Sequence, residues 1–281
     1  MSPRPAVVTG LAAEPALATI TLTWDSLGFD PLIDHYRIYA VEGEAAPARP
    51  EESSLLAKTV YPRLVHDGLA PAGETWSYRI LAVSDGGTRG EPSAPITAAS
   101  QPSVTATGVP VATIGEFDGR TLEHRFAPSS YSRIPEEHPE ALIEYRDGAD
   151  EPGTAWPYLL PGPGDAWAGR TAYRARWSLT LEAAPADDHD LAVWLVDTTR
   201  LGGILRISAN GEHVTDLELP AGATRGSREG DATVPGSTLR RCFFEPAIPA
   251  GLLQAGENTI ELELAEGGWA AWDAVGLYAR G

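Results

Sequence analysis

Cysteine is nearly missing from this sequence. Cys242 stands alone among 281 residues, so neither an internal disulfide nor a paired-cysteine metal site can form. Lysine is almost as scarce: Lys58 is the only one, and arginine supplies the remaining positive charge. Against 21 basic residues stand 39 acidic ones, a formal net charge of −18. A field of that sign repels polyanions, and no basic run concentrates a contrary patch, so nucleic acid is excluded as a partner. Polyuronates are disfavoured for the same reason, unless arginines gather locally. Uninterrupted apolar stretches long enough to cross a bilayer are lacking, so no membrane partner is expected. The opening residues, MSPRPAVVTGLAAEPALATI, show no basic-then-apolar leader. The expected location is therefore extracellular if the chain is a fragment of an exported protein, the favoured case, and cytoplasmic if it is complete. No helix-period stretch exceeds two turns, apart from a turn at EEHPEAL (136–142).

Turn-forming residues, by contrast, are plentiful. With 29 Gly and 24 Pro in a chain that is 43% hydrophobic, breaks come every few residues, which suits short strands packed into a core. The length is a prior for about two domains. In residues 4–100, apolar and polar residues alternate in bursts: ATITLTWDSL, with Ile20, Leu22 and Trp24 on one face, then DHYRIYAV, then WSYRILAV. Gly/Pro turns separate the bursts, as in a sandwich of about seven strands. Residues 101–112, with two prolines, read as a linker or lead-in strand. From 113 to 281 the strands lengthen. TAYRARWSLTLEA places Tyr173, Ala175, Trp177, Leu179 and Leu181 on one face, and Asn210–Gly211 in ANGEH marks a hairpin turn. The expected fold class is all-β: a fibronectin-III-like sandwich, then a jelly-roll β-sandwich of the galactose-binding-like kind.

Two family resemblances sharpen this. TLTWDSL, HYRIYAV, GLAPAGETWSYRILAV and EPSAP resemble a fibronectin type III domain over nearly its full length. Trp24 matches that family's core tryptophan and Leu69 its leucine, while Trp76 stands where the family has a corner tyrosine. Further on, IGEFDGRTLE, GGILRISANGE, IPAGLLQAGENTIELEL and a closing WDAVGLY run in the order found in the C-terminal jelly-roll domain of rhamnogalacturonan lyases, polysaccharide lyase family 4. That resemblance implies a carbohydrate-binding-like domain. The family's eliminating chemistry, which uses lysine and histidine, belongs to a separate N-terminal domain, so the chain is expected to be no enzyme but an accessory region. Its implied partners are a pectic rhamnogalacturonan-type polysaccharide or oligosaccharide and a catalytic lyase domain.

GxSxG, HExxH and phosphate-loop patterns are absent. Acidic pairs such as EEHPE and DDHD suit solvated turns, although a carboxylate-dependent lyase or hydrolase remains an alternative because such a pair can be distant in sequence. A second alternative is a structural spacer or protein-interaction module. For ligand binding the candidates are Trp156, Tyr158 and Trp167 in the Pro-flanked TAWPYLLPGPGDAW segment, Trp269 at the last turn, and Arg225, Arg240 and Arg241 in or beside the long GATRGSREGDATVPGSTLRR loop. Flat aromatics match the C–H face of a sugar, and guanidinium forks match carboxylates or vicinal hydroxyls. The competing account is that these aromatics plug the sandwich end and that the arginines balance local acids. Trp194 reads as core, Trp272 as inward-facing and Trp269 as outward-facing. No cofactor is expected. A structural calcium on Glu116, Asp118 and Asp273 is the one metal considered, with no local run of acidic ligands to favour it.

Overall fold

The structure is a computed structural model that describes residues 4–28, 32–45, 49–222, 239 and 241–280. It divides into two compact units, Met1–Ala106 and Thr107–Gly281.

The first unit contains β1 (Ala12–Ala16), β2 (Thr19–Thr23), β3 (Ile33–Glu42), β4 (Leu55–Thr59), β5 (Arg63–His66), β6 (Thr75–Ser84) and β7 (Ile96–Ala99). They form sheets of order β1-β2-β5 and β4-β3-β6-β7, all pairs antiparallel, giving the fibronectin-III-like sandwich. Alternation drives the burial. Ile20, Leu22, Ile38, Tyr78 and Ile80 point between the sheets, joined by Trp24 and Leu69. The Trp24 ring meets Tyr36 edge-on at 5.4 Å. At the corner, the Trp76 indole donates to the Glu74 carboxylate at 2.9 Å. Tyr78 two residues on is the buried hydroxyl, hydrogen-bonded to His66 at 2.9 Å.

The second unit contains β8 (Val109–Gly115), β9 (Leu142–Arg146), β10 (Leu159–Pro161), β11 (Arg174–Leu181), β12 (His189–Thr198), β13 (Gly203–Ala209), β14 (Glu212–Leu219), β15 (Cys242–Phe244), β16 (Ala247–Ile248), β17 (Gly256–Gly267) and β18 (Trp269–Ala279). One sheet runs β10-β18-β12-β15, with β8 also on β18 and β16 on β12; the other runs β14-β13-β17-β11-β9. Among the described strands of this unit, only β9 and β11 pair in parallel. Asn210 and Gly211 both take positive φ, +50° and +85°, the primed turn that matches the strand twist and joins Ala209 to Glu212.

The core lies between these sheets. Ala175, Trp177, Leu179 and Leu181 of β11 face inward with Ile260, Leu262 and Leu264 of β17 and Trp272, Val275 and Leu277 of β18. Burying a side chain of this size contributes about 1.5–3 kcal/mol, so this stripe dominates the stability of the unit. Trp194 is also buried, but on the outward face of its sheet, beneath Phe117 (5.1 Å) and Phe243 (4.6 Å), while its neighbours Val193 and Leu195 enter the core. Cys242, the sole thiol, is buried on β15. Among the described residues, no helix is long and apolar enough to cross a membrane.

Candidate functional site

Two of the predicted aromatics are not at the surface. Trp156 is wholly buried, its ring 5.9 Å from Tyr145 and 5.6 Å from Trp272. Tyr158 is buried beside it, at 1% exposure. Both are corrected from ligand candidates to core residues. A Gly/Pro-rich segment can enter the interior here because its amide groups find partners. The Tyr158 N–H donates to the Arg125 carbonyl at 3.0 Å, and the Tyr158 carbonyl accepts from Trp272 at 3.0 Å. That leads directly into β10, which pairs with β18.

Trp167 and Trp269 differ: both are half-buried, packed against the core edge. The loops that carry them meet. Gly162 donates to the Gly268 carbonyl at 2.5 Å and Gly164 to the Gly267 carbonyl at 2.7 Å, while Thr199 donates to the Trp269 carbonyl at 3.3 Å. A Cβ on Gly164 would sit 2.8 Å from the Gly267 carbonyl oxygen, so the approach requires glycine. Beside Trp167 stands Tyr131, absent from the sequence candidates, 41% exposed, with ring centroids 4.9 Å apart and planes at 67°. Tyr131 opens a short helical turn, Tyr131–Arg133, continued by Ile134–Glu137. Buried Ile134 anchors that turn, and Arg133 and Arg125 both pair with Glu137 over the ring of Phe126.

Asp165 completes this rim. Burial raises its carboxyl above the usual range, with hydrogen bonding from Trp167 pulling the other way. Its Oδ2 is buried without a hydrogen-bond partner. An edge-to-face aromatic pair with a partly exposed tyrosine and a half-buried tryptophan is an arrangement that can meet the C–H surface of a sugar.

Of the arginine candidates, Arg241 does not join this rim. Arg225 and Arg240 lie outside the described residues. Arg241 is exposed and donates to the Gly119 carbonyl at 3.5 Å, at the other element singled out by the sequence, 114–120. There the calcium reading is corrected. Among the described residues, no three His, Cys, Asp or Glu side chains converge as a metal-binding group. The Asp273 carboxylate instead accepts the backbone N–H of Gly119 (2.7 Å) and Arg120 (3.1 Å), and His124 Nε2 donates to the Asp273 carbonyl at 2.8 Å. Gly115, at φ +82°, lets the chain pass: a Cβ would lie 2.7 Å from the His124 ring and 2.9 Å from the Asp273 carbonyl. Burial pushes Asp273 up to about 7 and holds His124 below its ordinary value. This element is a latch that fastens the 115–124 loop onto β18, with Phe117 laid over Trp194.

No curated protein matches the chain in sequence. Among solved structures, similarity extends to about a third of the chain. The twitchin kinase region from C. elegans has 26% identity and a TM-score of 0.29, covering 36% of this chain and 17% of that one. The fourth FNIII domain of a human protein has 20% identity and a TM-score of 0.29, covering 36% and 82%. The family 28 exopolygalacturonase of Yersinia enterocolitica has 16% identity and a TM-score of 0.28, covering 34% and 20%. The match over the second unit is to a family: residues 111–277, more than half of the sequence and nearly all of that unit, fit the one described as CBM-like, polysaccharide lyase family 4, domain III, and the chain belongs to that family.

Proposed function

We propose that this chain is a non-catalytic, carbohydrate-binding accessory region that serves a polysaccharide lyase outside the cell and directs it to pectic glycan of the rhamnogalacturonan type. Membership of the CBM-like domain III family carries this reading. The Tyr131–Trp167 rim supports it, since two inclined rings at a loop junction offer the apolar face that a sugar needs. The first unit then acts as a fibronectin type III spacer, in keeping with its strand order. A surface this shallow buries little of a ligand, so single-site affinity is expected to be weak.

The test is titration of the whole chain with rhamnogalacturonan, galactan and arabinan oligosaccharides, followed by calorimetry and by tryptophan fluorescence. Binding that weakens several-fold in Tyr131→Ala and Trp167→Ala, with melting temperatures held, supports the proposal. Absence of binding to every glycan leaves the second alternative, a scaffold or interaction module. Sustained release of unsaturated products from pectic substrate by the purified chain contradicts the non-catalytic assignment.

A further inference from the structure

A second feature of the same unit lies away from the rim. The outward face of the five-stranded sheet holds an open groove of about 680 Å³ lined by Arg176, Ser208, Gln254, Glu257, Thr259 and Glu261, a size within the range of small-ligand sites. We infer that this groove is a separate subsite for a neutral, polyhydroxylated glycan segment. The inference rests on the carbohydrate-binding reading above and extends it to a second place and a ligand class.

Rigidity is the first argument. The end of the groove is clipped by two side-chain amides. Asn210 Nδ2 donates to the Leu252 carbonyl (2.8 Å) and to Asn258 Oδ1 (2.9 Å), while its own Oδ1 accepts from the Thr259 N–H (2.8 Å). Asn258, 1% exposed, donates in turn to the carbonyls of Gln254 (2.8 Å) and Gly256 (3.0 Å). The hairpin turn of β13–β14 and the segment entering β17 are thereby held together before any ligand arrives, which lowers the ordering cost of binding.

The chemistry of the walls is the second. Arg176 Nε and Nη2 both donate to Glu261 Oε2 at 3.2 Å, and its Nη1 lies 3.5 Å from Glu144. A guanidinium fixed between carboxylates presents donors and acceptors side by side, the pattern that a pair of neighbouring hydroxyls satisfies. The hydroxyls of Ser208 and Thr259 make no hydrogen bond to the described residues, so they are available to a ligand. No aromatic lines the groove, so recognition is by hydroxyl edges rather than by ring stacking. Charge decides the class. Two glutamates, Glu257 and Glu261, face one arginine in the groove, in a chain of net charge −18, so a uronate carboxylate is repelled and a neutral sugar is not.

Distance separates the two sites. From Thr259 to Gly267, β17 runs eight residues in extended conformation, about 26 Å, so substitutions at one place should leave the other nearly untouched. The experiment uses the full chain, labelled for amide NMR, with β-1,4-galactotetraose, α-1,5-arabinotetraose and tetragalacturonate as probes. The expected result is that a neutral tetraose shifts the side-chain amides of Asn210 and Gln254, that tetragalacturonate does not, and that Ser208→Val/Thr259→Val weakens this response about five- to tenfold. Tyr131→Ala should change it by less than about twofold. Wild-type shifts alone suffice if the double variant folds poorly. Binding of a neutral glycan that leaves the groove amides unmoved overturns the subsite while leaving the carbohydrate-binding reading intact, and stronger groove shifts with tetragalacturonate overturn the ligand class. If none of the three probes, nor rhamnogalacturonan oligosaccharide, binds anywhere, the broader reading falls and the subsite with it.

Discussion

Trp156→Ala separates the core assignment of this residue from a ligand-binding one. The side chain is fully buried, wedged between Tyr145 and Trp272. Truncation removes its transfer contribution and leaves a cavity that the strands on either side cannot close, because Trp272 is itself fixed in β18. For a buried tryptophan the loss is about 3–5 kcal/mol, and two broken ring–ring contacts place it toward the upper end. At about 2–4 °C per kcal/mol for a unit of this size, the melting temperature should fall by about 6–20 °C. Trp156→Phe is the companion variant. It keeps a ring in the wedge and deletes an indole N–H that is buried without a partner, which offsets part of the lost volume, so it should cost less than about half as much. Calorimetric scanning of wild type and both variants reads the shifts, and glycan affinity measured well below each transition should not change. A Trp156→Ala protein that melts with wild type yet loses glycan binding would refute the argument outright.

Two further outcomes are expected. Asp273 is held up to about 7 by burial, above its unfolded value of about 3.9; its contribution is therefore fully present below that value and is lost as pH rises through 7. Asp273→Asn keeps an acceptor for Gly119 and Arg120 and should flatten the decline in melting temperature between pH 5 and 8. Parallel profiles for the two proteins would contradict it. His124 acts with the opposite sign, since burial lowers its pKa and its contribution is lost as pH falls below the ordinary imidazole value; because it is present in both proteins, the comparison isolates the acid. Gly115→Ala should destabilise the second unit by about 1–3 kcal/mol, from the left-handed backbone and the overlap with His124, read as a lower urea midpoint with unchanged slope.

Much of the fold was legible because strands advertise themselves through a period of two. Trp177 and its neighbours on β11 face inward as the alternation requires, and Asn210–Gly211 turns the chain where that dipeptide must. The site was legible only in part. Trp156 and Tyr158 were misread because a three-residue strand such as β10 shows no period, and proline and glycine around it suggested a surface loop. Trp194 was correctly taken as buried, yet the sequence held no hint that its cover would be Phe117, 77 positions earlier. Tyr131 escaped notice for the same reason: it gains meaning from Trp167, which the chain brings beside it from another segment. The groove needs β13, β17 and β11 laid side by side before its walls exist at all. Glu116, Asp118 and Asp273 were considered together as calcium ligands because the first and last strands of the second unit were expected to pair, as they do, but backbone amides, invisible in a sequence, claim Asp273.

The solitary buried thiol of Cys242 makes the second sandwich self-reporting. An alkylating reagent or a bulky disulfide can reach that sulfur only when β15 leaves the edge of its sheet, and no other residue competes for the label. The rate of modification therefore counts openings of one unit in the intact chain, without an engineered probe and without interference from the first. Comparing that rate with and without saturating glycan would measure how far a ligand on a distant surface steadies this edge.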